Sequence, residues 1–216
     1  MRINERCNLV IPLYRDGDEP YAWVHSTPLS NEAFRANYVL LSKTFTAIHS
    51  EGLGAVSGPR IAAMALQDIA QRMANDGQSG DDVAAPFLNE MRRLTNIIVA
   101  QQTGWDTVPM EEALRRKLLD PDDVDVVEGG LTFFMLGWQL YPRNARQQMM
   151  DGAASVWGAR MQSLSCTAFA ASLRTSTETV SSGETPKDTP PPPARTGATV
   201  TITGPDGQSV MSSLPS

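Results

Sequence analysis

From Leu9 the chain alternates. Leu9, Ile11 and Leu13 interleave with Val10, Pro12 and Tyr14, and a period of two puts successive side chains on opposite faces of a strand. Arg15-Asp16-Gly17-Asp18-Glu19-Pro20 supplies turn residues and Tyr21-Ala22-Trp23-Val24 returns, so residues 9–24 predict a hairpin. The period then lengthens. Phe34, Tyr38, Leu41, Phe45 and Ile48 recur at alternating steps of four and three, which sets all five on one face of a long helix. Ser30 suits its start, because a hydroxyl there accepts an otherwise unpaired backbone N–H, and Glu32 favours the positive end of the helix. Gly52 and Gly54 end it.

Helical spacing persists for the next hundred residues. Ile61, Ala65, Ile69 and Met73 repeat every four residues after Ser57-Gly58-Pro59, where a proline near the first turn loses no needed hydrogen bond. A third helix is expected from about Asp82, with Val83, Phe87, Met91, Leu94 and Ile98 as its stripe and Pro86 in its first turn. Residues 103–109 read as a turn into a short helix over 110–119. Asp120-Pro121 restarts a helix striped by Leu131, Phe134, Trp138 and Tyr141 until Pro142, and a last helix from Ala145 carries Met149, Ala153, Trp157, Met161 and Leu164. The expectation is a mainly α fold: a single helical domain over residues 1–173 with a small N-terminal β-hairpin. Residues 174–197, rich in Pro, Ser and Thr, hold too little apolar surface to offset their ordering entropy and read as a linker. Residues 198–216 read as a flexible, disordered tail, in which Val200 and Ile202 alternate with threonines ahead of Gly204-Pro205-Asp206-Gly207 as a weak hairpin or a partner-binding strand.

Composition narrows the functional classes. The 216 residues are 41% hydrophobic and 19% charged, enough for one core plus an extension. A net charge of −6 argues against a nucleic-acid binder, since that affinity comes from Lys and Arg neutralising phosphates. Arg92-Arg93 and Arg115-Arg116-Lys117 are the basic clusters, and both fall on expected helices as solvated faces. No apolar run approaches the roughly 20 residues of a membrane span, and the N-terminus lacks a signal-peptide core. Cys7 and Cys166 match no metal or redox spacing, which suits a reduced, cytoplasmic compartment.

Candidate chemistry is thin. Asp120, Asp122, Asp123, Asp125 and Glu128 offer carboxylate oxygens, but Val124 stands at the fifth position of a calcium loop, Asp125 in place of glycine at the sixth and Leu131 at the twelfth. A helix start, with an aspartate cap, proline at the first position and acids in the next turn, explains the same residues. His25 and His49 fit structural or surface roles, and none of the usual nucleophile, phosphate-loop or zinc-protease signatures occurs. The expectation is no enzyme, no metal and no cofactor. Methionine adapts to varied apolar partners, so a groove between the first long helix and the last is the candidate binding surface, edged by Phe34, Tyr38, Met149 and Trp157. Core packing is the competing explanation for the same residues.

A resemblance runs through these segments. Asn8-Leu9-Val10-Ile11-Pro12-Leu13-Tyr14, Trp23-Val24-His25-Ser26-Thr27-Pro28-Leu29-Ser30, Asn37-Tyr38, Leu40-Leu41-Ser42-Lys43-Thr44-Phe45, and Gly52-Leu53-Gly54 before Gly58-Pro59-Arg60 resemble tail assembly chaperones of long-tailed bacteriophages. The similarity continues through Leu88-Asn89-Glu90-Met91-Arg92-Arg93-Leu94 and Trp157-Gly158-Ala159 to Cys166-Thr167-Ala168-Phe169-Ala170-Ala171-Ser172-Leu173, leaving the rest unmatched. The resemblance rests on order along the chain and on no chemical motif. It implies a non-enzymatic role in the host cytoplasm: binding the tape-measure protein and assisting tail-tube protein to polymerise around it, without retention in the particle. A homo-oligomer is compatible with it. The rivals are a tail-completion or connector component retained in the virion, and a small enzyme with an unrecognised site.

Overall fold

The two alternating segments do pair, but as inner strands of a larger sheet. A computed structural model describes residues 7–15, 17–50, 52, 54–77, 82–101 and 104–173. The expected linker and tail, 174–216, lie outside these residues. Strand β1 (Asn8–Leu13) runs antiparallel to β2 (Ala22–Ser26) with Ile11 opposite Val24. Beyond β2 lie β3 (Thr95–Gln101) and β4 (Gly104–Pro109), and β5 (Arg160–Gln162) flanks β1, giving the order β4-β3-β2-β1-β5, antiparallel throughout. The described residues are 59% helix and 17% strand, so the fold is mixed α/β and the mainly α expectation is corrected.

Three of these strands replace expected helix or turn. The stripe from Val83 predicts one helix through Ile98. Instead α4 (Ala85–Arg93) stops, and the Thr95 hydroxyl donates to the Met91 carbonyl at 2.8 Å as the chain turns into β3. Ile97, Ile98 and Val99 are β-branched, stiff in a helix and well fitted to a pleated surface, which favours the strand. Residues 104–109, expected as a turn, pair with β3 from Gln101 opposite Gly104 to Asn96 opposite Pro109. The last expected helix ends early. In α7 (Arg146–Val156) the Ala159 N–H reaches the Ala154 carbonyl and Gly158 adopts φ +74°, a left-handed helix ending that glycine adopts at little cost, and Met161 falls in β5.

The long helix is also divided. Ser30 caps α1 (Asn31–Ala36), its hydroxyl accepting the Ala33 N–H, and α2 (Tyr38–Ser50) begins after Asn37. The Asn37 side chain donates back to the Ala33 carbonyl at 2.9 Å, a local bond that competes with helix continuation. Then come α3 (Gly54–Asn75), α4, α5 (Met110–Arg115), α6 (Pro121–Leu140), α7 and α8 (Cys166–Ser172).

The strand period sorts the sheet into two faces. Ile11, Val24, Ile97 and Val108 form one row across four strands, all buried against the helices. At the centre of that packing lies α6, buried without interruption from Gly129 to Gly137. Its glycines explain how neighbours approach so closely. A Cβ on Gly129 would lie 2.3 Å from the Pro59 carbonyl oxygen of α3, and one on Gly130 would lie 2.4 Å from the Trp157 ring. Gly137 faces Met150 in the same way, so α7 runs antiparallel along α6. No helix among the described residues is long and apolar enough to cross a membrane.

Candidate partner surface and the covered face of the sheet

The four residues expected at a groove fall into different settings. Phe34 and Tyr38 meet across the α1–α2 junction, ring centroids 5.9 Å apart and nearly perpendicular, a favourable edge-to-face geometry. Phe34 packs on the core, while Tyr38 is 54% exposed. Met149 is 42% exposed on α7, beside the buried Met150 that fills the space over Gly137. Trp157 caps the end of α7 and lies on Gly130, with its indole N–H buried and without an acceptor among the described residues. The structure therefore joins Phe34 to Tyr38 and seats Trp157 on α6. Of the four, Tyr38 and Met149 are the two exposed ones.

The acidic cluster is largely engaged. Asp120 stands at the start of α6, but its carboxylate takes a two-point bond from Arg15 at 3.0 Å and caps no backbone N–H. Asp123 accepts from the Tyr21 hydroxyl, and burial together with that bond pushes the phenol up to about 12. Arg92 reaches Glu128 at 2.7 Å. The expected helix start is present, with its carboxylates turned to tertiary pairing. His49 stacks on Phe45 at 4.0 Å within a cluster that includes Tyr141.

Sequence patterns gave no hint of the second face of the sheet as a site. Val10, Trp23, His25, Asn96, Ile98 and Trp105 alternate outward on β1 to β4, opposite the core rows. Over them sits α8, whose Phe169 forms a separate buried cluster with Val10 and Ile98. Phe169 meets the Trp23 ring edge-on at 5.4 Å, and the Arg160 guanidinium lies 5.0 Å from Trp23 and 5.4 Å from Phe169. Cations over aromatic faces are drawn by the ring quadrupole, so Arg160 closes this stack. Asn8 Nδ2 and His25 Nε2 both donate to the Leu164 carbonyl, at 2.7 and 3.1 Å. That bond fixes His25 as a tautomer protonated at Nε2.

Two adjoining clefts, about 650 and 260 Å³, open beside this face and share Arg93 and Asn96. In the larger, Arg93 is held by Glu90, which holds that carboxyl below its usual range. The smaller is lined by Asn8, His25, Ser163, Ser165 and Cys166. Burial pushes the Cys166 thiol up and the His25 imidazole down, so both favour their neutral forms. An activated thiolate beside an imidazolium needs the reverse of both shifts. Cys166 and His25 thus offer this cleft neutral polar groups beside the charged Arg93 guanidinium. Comparison with family models, with curated proteins and with solved structures returns no match.

Proposed function

We propose that the chain is a bacteriophage tail assembly chaperone, working in the host cytoplasm by binding the tape-measure protein and delivering it to polymerising tail-tube protein. The ordered resemblance along residues 8–173 carries this reading. The feature that gives it a physical handle is Tyr38, more than half exposed beside Phe34 within a resembling segment. Exposed aromatic anchors of this kind suit an amphipathic helix, which docks its apolar stripe and keeps its charged side in water. Masking such a stripe would hold tape-measure helices apart until tube subunits cover them.

The test is calorimetry of the purified chain with a helical segment of the tape-measure protein encoded nearby. Apolar contact gives a negative heat-capacity change and survives moderate salt, whereas binding through this acidic chain's charges weakens as screening grows. Tyr38→Ala is the informative variant, because Trp157→Ala also opens a void over Gly130. Failure to bind either tape-measure or tube protein, with the chain found in mature particles, overturns the chaperone reading in favour of a retained structural component.

A further inference from the structure

The geometry points to α8 as a displaceable strap, which lifts from the outer face of the sheet as a local unit while the rest of the fold stays intact. At seven residues α8 is well below the roughly 12–15 at which a helix begins to sustain itself in water, so its stability comes from what it touches. What it touches is narrow. Phe169 is its one fully buried residue, with Cys166, Ala170 and Leu173 partly buried beside it, and the cluster they join is separate from the main core that holds α6. Beyond this anchor the described ties are few: the Leu164 carbonyl bonded by Asn8 and His25, the Ser165 cap on the Ala168 N–H, and a bond between Thr107 and Cys166.

The closed position is also imperfectly satisfied. Among the described residues, Trp23 Nε1, Gln162 Nε2 and Asn8 Oδ1 are buried without a hydrogen-bond partner. All three belong to the outer face: Asn8 stands opposite Gln162 in the β1–β5 register, and Trp23 alternates outward with His25. A buried polar group without a partner carries a desolvation cost, and lifting α8 uncovers the Trp23 ring on which Phe169 packs, returning its indole N–H to water. Opening therefore trades the Phe169 contact against relief of that cost, which places this element at the low-stability end of the molecule. The uncovered surface presents Val10, Trp23, Ile98 and Trp105. A segment that takes the place of α8 needs an aromatic side chain for the slot beside Trp23, Arg160 and His25, and an acceptor that reaches Trp23 Nε1.

The two cysteines report on this directly in the full chain, since Cys166 rides on α8 and Cys7 is buried one residue before β1. Backbone amides of α8 should exchange with deuterium at least about tenfold faster than those of α6, with little dependence on low denaturant, as expected of local opening. A thiol reagent should modify Cys166 before Cys7, and Phe169→Ala should raise the Cys166 rate about tenfold or more while leaving the global unfolding midpoint nearly unchanged. Equal protection of α8 and α6 amides overturns the proposal whatever the thiols do. So does a Phe169→Ala chain in which Cys7 and Cys166 become reactive together.

Discussion

Two helices of this chain, α6 and α8, are covered to opposite degrees. The first is enclosed on every side over nine successive residues, with glycines admitting the Pro59 backbone and the Trp157 ring to contact distance. The second buries one phenylalanine, with partly covered Cys166, Ala170 and Leu173 around it, over polar atoms that have no hydrogen-bond partner among the described residues. Both depend on tertiary packing, yet close packing around α6 makes its neighbourhood intolerant of any change in volume. At α8 the same physics leaves room for motion.

The largest effect is expected at the enclosed helix. Phe134 is fully buried, and Phe134→Ala should cost about 3–5 kcal/mol through lost transfer energy and a residual cavity. Leu41→Ala, on the α2 face turned to the same core, should cost about 2–5 kcal/mol. Denaturant unfolding measures both. A loss under about 1 kcal/mol at either site would mean that the region collapses easily, and the contrast with α8 would fall.

Next come the glycines. A Cβ on Gly129 meets a backbone oxygen, which no side-chain rotamer can move, so Gly129→Ala should destabilise by about 1–3 kcal/mol or more. Gly152 lies inside α7 with nothing within 4 Å of its added Cβ, and Gly152→Ala should stabilise by about 0.5–1 kcal/mol as a helix interior gains its better former. Opposite signs from the same substitution separate crowding from propensity. Equal signs would show that the close approach at Gly129 relaxes freely.

How much of this was readable in the sequence differs between the same two regions. Of the α6 stripe, Leu131, Phe134 and Tyr141 are buried and Trp138 is half-buried, and Asp120-Pro121 marks the start of the helix. The hairpin strands were visible because turn residues sit between two alternating runs. The other three strands were not read, for separate reasons. Ile98 keeps helical spacing from Phe87 and Met91, so the stripe continues on paper past a real boundary, although Ile97-Ile98-Val99 carried a β-branched signal. Gly158 was a usable stop that the Met149–Trp157–Met161 spacing obscured. At three residues β5 is too short for periodicity, and only its pairing with β1 defines it. The outer face was invisible because its members come from distant segments, and a fold alone brings His25, Arg160 and Phe169 together.

A smaller effect should separate the faces by pH. Burial lowers the His25 pKa, so the folded state favours the neutral ring and the unfolded chain takes the proton first as pH falls. Stability should therefore hold above the ordinary histidine value of about 6.5 and decline as pH drops below it, until the folded pKa is reached. His25→Gln retains a donor for the Leu164 carbonyl without titrating. Unfolding midpoints at pH 7.5 and 5.5 should differ less in His25→Gln than in the unaltered chain. An identical difference in both would remove His25 from the account.

The smallest stability effect belongs to the residue with the largest expected functional one. Tyr38 exposes 54% of its surface, and its described tie is an edge contact with Phe34. Tyr38→Ala should shift unfolding by no more than about 0.5 kcal/mol, the range usual for exposed positions outside a cap, core or network. Binding to a tape-measure helix should weaken nonetheless, because an exposed aromatic gains its energy only when a partner desolvates it. The two measurements pull apart the meanings that Tyr38 carries as part of an apolar stripe. If stability falls by 2 kcal/mol or more, the ring belongs to the core's packing and its exposure is incidental. If stability holds and binding falls, the stripe that folds α2 against the body has been extended by one residue to serve a partner.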